Sequence, residues 1–326
     1  MSCREFANSP NNSWPHGNPV ARNRPTFLSL NRFEKKKNIG LAISAFAQFR
    51  QGLTAADKNT RKLDTARMVI GGGYDPRVKE NTDTLDELVS LTESLNLSYS
   101  LITSLDSPRL EAIKMRSKSP SHADVLFLPN FTTVQRTALL QSPHTIALLY
   151  TPNNEHFGIG PVEGMACGLP VIACSSGGPK ESIIDRSAKD WTGWLRAPQV
   201  ALWADALKDA ARLTATERLT LANRAKRRVD EHFTLSTMAG ALEAGIGQVR
   251  ALPALSLWAF VELDWFFMAT SVLLLAYTVY AGILEPLSAG MMFLTFALRR
   301  HFGPARAGHL PPPPPEYLEE RVRRSI

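Results

Sequence analysis

Short apolar runs recur along the first two thirds of the chain, each ending in glycine, asparagine or a polar cluster. They are Thr26 to Leu30, Ala66 to Ile70, Ser98 to Thr103, Asp124 to Leu128, Leu148 to Tyr150, Pro170 to Cys174 and Trp191 to Leu195. Runs of this kind read as strands. Between them the apolar positions switch to helical spacing: Ile39, Ile43, Phe46 and Phe49, with Asn38 placed as the cap, then Leu85, Leu88, Leu91 and Leu95. Helical stretches follow at 200–213, 215–232 and 235–250, the last expected to close the domain. A short helix is expected from about Pro161, whose missing N–H suits a first helical position, and another near Pro179. Residues 51–65 are polar and read as a loop. Strands alternating with helices predict an α/β domain over 26–250: a Rossmann-like parallel sheet, helices on both faces, and a ligand cleft at the strand carboxyl ends. Arg32, Gly73, Asn130 and Glu155 all follow strands and are expected on that rim.

Outside this range the pattern changes. Residues 1–25 are polar and read as a disordered arm or linker without the apolar run of a signal peptide. Residues 265–284 hold no charge, enough to span a bilayer; a buried core helix is the competing reading, weakened because 26–250 already forms a domain. Glu285-Pro286 interrupts the run, and 287–298 suits a re-entrant or interfacial piece, so 264–298 reads as a membrane segment. Residues 299–326 form a charged tail with a polyproline spacer at Pro311 to Pro315. Basic residues lie on both sides of the apolar block, Arg224 to Arg228 before it and Arg299, Arg300 and Arg306 after it. That favours entry and exit on the cytosolic side. The run Arg224 to Arg228 itself reads as a solvated face.

Among 326 residues, 37 Lys and Arg against 30 Asp and Glu leave a charge of +7, which suits phosphates, a lipid surface or nucleic acid. Nucleic acid is set aside, because the basic residues are scattered and no binding module is present. Cys3, Cys167 and Cys174 make no paired framework and have no histidine at metal spacing. The triple glycine Gly71 to Gly73 lacks the spacing of a dinucleotide or Walker loop.

The densest chemistry lies in residues 149–181. Glu155 and Glu163 flank Phe157-Gly158-Ile159-Gly160, where glycine lets the backbone approach a ligand and a helix start aims N–H groups at it. Two carboxylates beside a phosphate-friendly helix end suit a nucleotide sugar; a surface loop with one ordinary buried acid fits the spacing as well. Arg32 and Lys37 flank another strand-to-helix turn, where cations meet a diphosphate or simply solvent.

The string EHFGIGPVE, followed by GMACGLPVIA and SGGPKE, resembles the E-x7-E motif of the retaining GT-B glycosyltransferases of family 4. With NRFEKKKN, GGYDPRVKEN and YTPNNEHFGIGPVE, the chain resembles in particular the endoplasmic-reticulum mannosyltransferases that extend the dolichol-linked oligosaccharide. The likeness covers about residues 26–245, the donor half of such an enzyme. It implies mannose transfer from GDP-mannose to mannosyl-GlcNAc2-diphospho-dolichol, with retention and without a metal. Arg32 and Lys37 would hold the diphosphate, Glu155 the hexose, Glu163 the ribose, and backbone groups at Phe157, Gly158, Ile159, Asn130 and Phe131 the rest of the donor. Lys35 and Lys36 would stay solvated. GGYD would be a structural turn near the cleft. It further implies the ER membrane, with the domain on the cytosolic face, ER lipid as a partner, and other lipid-linked-oligosaccharide glycosyltransferases as candidate partners. Two alternatives remain open on the sequence: a truncated, inactive module that binds GDP-mannose or a partner, and a GT-B enzyme for another sugar nucleotide.

Overall fold

A computed structural model describes residues 24–251 and 257–280, with isolated positions at 293, 294 and 297. All but Arg24 and Pro25 of the expected arm lies outside the described residues. So do the Glu285-Pro286 break, the tail, and 287–298 apart from those three positions. The chain divides into two compact units, Met1–Ala244 and Gly245–Ile326.

In chain order the first unit runs β1 (Thr26–Leu30), α1 (Ile39–Gln51), α2 (Ala55–Arg61), β2 (Arg67–Gly72), α3 (Lys79–Ser94), β3 (Tyr99–Leu101), α4 (Pro108–Arg116), β4 (Val125–Pro129), α5 (Thr133–Gln141), β5 (Thr145–Tyr150), α6 (Ile159–Ala166), β6 (Val171–Cys174), α7 (Pro179–Ser182), β7 (Gly193–Arg196), α8 (Val200–Arg212) and α9 (Ala215–His232). Then α10 (Leu235–Ala251) crosses the unit boundary. The strands form one sheet, β3-β4-β2-β1-β5-β6-β7, and every pairing is parallel. Because side chains alternate across a strand, neighbours enter opposite cores. Phe27, Met68 and Leu149 join Phe46, Leu85, Trp203 and Leu207 on one face. Leu28, Val69 and Leu148 join Leu139, Met165, Ala225 and Val229 on the other. Both faces are therefore covered, which is why the strands read as apolar runs.

The order of the strands places the site. From β1 the chain forms β2 beside it, then the edge strand β3, then β4 between those two, and crosses to the other side of β1 to form β5. The loops after β1 and β5 thus flank the switch point, where a crevice opens at the strand ends.

Several expectations are corrected. Residues 51–65 are not a loop: α2 occupies 55–61, opened by a capping box in which Thr54 and Asp57 satisfy each other's backbone N–H groups. Asp57 also takes two hydrogen bonds from Arg212, at 2.9 and 2.7 Å, pinning α2 to α8. Those bonds hold its carboxyl well below the usual range, against the opposing effect of burial. The run Arg224 to Arg228 is only partly solvated. Arg224 donates to the carbonyl of Lys189, Arg228 to those of Glu181 and Ser182, and Ala225 is buried. Nor does α10 close the domain: Leu235, Met238 and Leu242 are exposed on it.

In the second unit α11 spans Leu257–Tyr280. Its described side chains include Trp265, Phe266, Phe267, Val272, Leu273 and Tyr277, all exposed. Among the described residues no helix is long and apolar enough to cross a membrane. Residues 281–284 of the expected span lie outside the described residues.

Candidate functional site

The turn after β1 sorts three consecutive lysines by direction. Lys35 to Lys37 form one 3-10 turn. Lys35 pairs with Glu87 at 2.9 Å on the surface, and Lys36, itself exposed, with the largely buried Glu34 at 3.2 Å. Lys37 points inward, its side chain 11% exposed, and its Nζ meets Glu155 Oε2 at 2.7 Å. The two residues lie 118 positions apart in the chain. Thr151, just past β5, fastens the turn from the other side by donating its hydroxyl to the Lys37 carbonyl at 2.7 Å. Asn38 does not cap α1 with its side chain. It sits at φ 48°, ψ 41°, a left-handed conformation that asparagine tolerates, and its N–H closes the 3-10 turn on Lys35. Arg32 is exposed and paired with Glu34 at 3.1 Å, so the structure brings together Lys37 and Glu155 but leaves Arg32 on the rim.

The loop after β5 is shaped by Tyr150. Its ring lies under Gly158 and Gly160, and a side chain at Gly158 would strike the phenol oxygen. Gly158 also has φ +76°, a conformation other residues rarely adopt, and serves as N-cap of α6. Burial first, and the charge of Glu155 second, push the Tyr150 phenol up to about 12. The helix begins two residues before the expected Pro161, so its leading N–H groups belong to Ile159 and Gly160. Phe157 is partly exposed with its ring 5.8 Å from that of Phe233, and Ile159 is exposed.

Glu163 stands in the second turn of α6 and forms an ion pair with Arg136 of α5. Sequence reading missed Arg136, since one arginine on an amphipathic helix carries no signal. The Asn130 side chain is spent internally: it accepts from the Tyr74 N–H at 2.8 Å and donates to the Tyr74 carbonyl at 2.6 Å, locking the turn after β4 to the one after β2. That leaves its backbone, not its amide, for any ligand. Phe131 covers Gly71 at the same junction.

The segment 175–181 packs directly on Glu155. Gly177, at φ +57°, has no room for a Cβ against the Glu155 carbonyl, and the Gly178 N–H donates to that carbonyl at 2.9 Å. Between the two segments a pocket of about 450 Å³ is lined by Asn154, Glu155, His156, Gly177, Lys180 and Glu181. His156, Lys180 and Glu181 were not singled out from the sequence, although SGGPKE was quoted as a motif. Cys174 is buried, donates to the Thr151 carbonyl at 3.1 Å, and has its thiol pushed up to about 11 by burial. Among the described residues no group of three or more His, Cys, Asp or Glu side chains is placed to hold a metal.

Residues 11–228 match the family model of glycosyl transferases group 1. The chain belongs to that family. It is 38% identical over 219 residues to the α-1,3/1,6-mannosyltransferase ALG2 of Debaryomyces hansenii, covering 66% of its own length and 43% of the relative's. Against ALG2 of Saccharomyces cerevisiae the figures are 34% over 227 residues, 68% and 42%. Against ALG2 of Rhizomucor pusillus they are 37% over 239 residues, 69% and 48%. The chain therefore spans less than half the length of these curated relatives. Among solved structures it superposes on sucrose-phosphate synthase of Thermosynechococcus elongatus with TM-score 0.53 at 21% identity, covering 78% of this chain and 52% of that one. Anabaena Alr3699/HepE in complex with UDP and glucose gives 0.53 at 17% identity, covering 76% and 55%. At those identities the likeness establishes the fold, one half of a GT-B architecture.

Proposed function

We propose that this chain is the donor-binding half of a retaining mannosyltransferase that moves mannose from GDP-mannose to mannosyl-GlcNAc2-diphospho-dolichol. The observation that carries the reading is the meeting of Lys37 and Glu155 at 2.7 Å over the switch point of the sheet. Transfer breaks the bond between mannose C1 and the diphosphate oxygen, and charge builds on the departing GDP. The largely buried Lys37 ammonium and the leading N–H groups of α6 stabilise that charge without reorganising. Arg32, exposed on the rim, joins them by leaving Glu34. Glu155, beside the pocket of about 450 Å³, holds the hexose hydroxyls, and Glu163 holds the ribose, both by positioning rather than proton transfer. The backbone at Phe157, Gly158 and Ile159 borders the phosphates, and that at Asn130 and Phe131 borders the base. No resident metal enters this scheme.

Calorimetry of the full chain with GDP-mannose, GDP and UDP-glucose tests it. GDP-mannose binding tightest and UDP-glucose weakest is expected. Equal or absent binding of all three sinks the donor assignment.

We also infer contact with ER lipid through α11, on the cytosolic face. Support comes from the exposed apolar side chains between Trp265 and Tyr277, a surface larger than a solvated helix normally leaves open. Flotation of the full chain with neutral phosphatidylcholine vesicles is expected. A protein that stays at the bottom of the gradient removes this part of the reading.

A further inference from the structure

The structure assigns Arg136 a role that rests on the donor reading: it is the residue that aims Glu163 at the nucleoside hydroxyls, and so sets how strongly the site distinguishes ribose from deoxyribose. Three observations lead there. First, Arg136 stands on a fixed base. The capping box of Thr132 and Gln135 opens α5 immediately after β4, and the Arg136 N–H donates to Thr132 at 2.9 Å within that first turn. Second, the guanidinium pairs with Glu163 Oε2 while both side chains are about two-thirds buried. Solvent and salt screen a partly buried pair of this kind less than one on the surface. Third, α5 and α6 are separate helices on the same face of the sheet, each packed into the core through Leu139 and Met165. The pair therefore joins two rigid elements at the carboxyl ends of β4 and β5.

The guanidinium draws Glu163 Oε2 to one side, so its Oε1 is left to face the ligand. Vicinal hydroxyls need that fixed direction to bind well, whereas a diphosphate held by Lys37 does not depend on it. Arg136 acts through Glu163, so it is a positioning residue. Its signature is a change in discrimination rather than a general loss of binding.

The test measures the affinity of the full chain for GDP and for 2′,3′-dideoxy-GDP. Wild type should prefer GDP by about tenfold or more, the worth of hydrogen bonds to a charged acceptor. Arg136→Met should lose most of that preference while binding the dideoxy nucleotide about as well as wild type. Arg136→Lys, which keeps the charge without the fork, should fall between them and serves if Arg136→Met does not fold. If the variant that folds weakens both nucleotides by the same factor, Arg136 is structural and the inference is overturned. If wild type binds GDP with no preference over the dideoxy form, the ribose role of Glu163 fails and the inference with it. If wild type binds neither, the donor reading itself fails first.

Discussion

Glu155 and Glu163 belong to one motif, and each is met by a cation from another element, yet the two partnerships differ in kind. Lys37 reaches Glu155 from a 3-10 turn, with a single ammonium on a flexible stem. Arg136 reaches Glu163 from the first turn of a capped helix, with a planar fork. An ammonium is a point charge that can trade one oxygen for another at little cost, while a guanidinium on a rigid helix keeps its geometry. The difference follows from what each carboxylate has to do. Glu155 and Lys37 are assigned to adjoining parts of the same ligand, hexose and diphosphate, so their bond must give way when the donor arrives. Glu163 needs only to stay where it is. One pair is a resting contact to be exchanged; the other is a fixture.

The largest effect should come from the exchangeable side. Lys37→Ala removes the largely buried cation at the diphosphate and is expected to weaken GDP by about 1.5–3 kcal/mol, the usual cost of losing a hydrogen bond to a charged group. Lys35→Ala, two residues earlier, should change nothing. Its ammonium is turned to Glu87 on the surface, where solvent screens the pair, and it takes no part in the site. Titration calorimetry of the two variants decides the matter. Equal losses would mean that the basic turn acts through its summed charge, and the contrast between a directed lysine and its solvated neighbours would fall.

How these pairs could be read from sequence differs as sharply as the pairs themselves. The sheet was legible because each strand is an apolar run buried on both faces, and β1 was placed to the residue at Thr26–Leu30. Lys37 and Glu155 were legible only through the family motifs, since spacing alone fits a solvated turn equally well. Arg136 was invisible: its place beside Glu163 comes from α5 and α6 both packing on β5, which no local pattern encodes. Asn38 does stand at the N-cap of α1, but in a left-handed conformation and without a side-chain hydrogen bond to the helix, a detail that only the path of the chain decides. The helix α2 was missed although Thr54 and Asp57 spell a capping box, because its sequence AADKNTR has no apolar stripe to announce it.

The smallest effect has the opposite sign, and it separates an exchangeable contact from a fixture most directly. In the free chain Glu155 competes with any diphosphate for Lys37, since the ammonium cannot face both at full strength. Glu155→Gln keeps the shape of the side chain and removes its charge. GDP, which has no hexose to lose, should then bind more tightly, by about 0.5–1 kcal/mol, the worth of a partly exposed ion pair that no longer has to be broken. GDP-mannose should not share the gain, because the same substitution weakens the grip on its sugar hydroxyls. The ratio of the two affinities is therefore the quantity to measure, with Glu163→Gln as the counterpart: there the partner is Arg136, no phosphate competes for it, and GDP should bind more weakly. A Glu155→Gln chain that binds GDP less well than wild type would show that the Lys37–Glu155 bond orders the site for the nucleotide, and both pairs would then be fixtures.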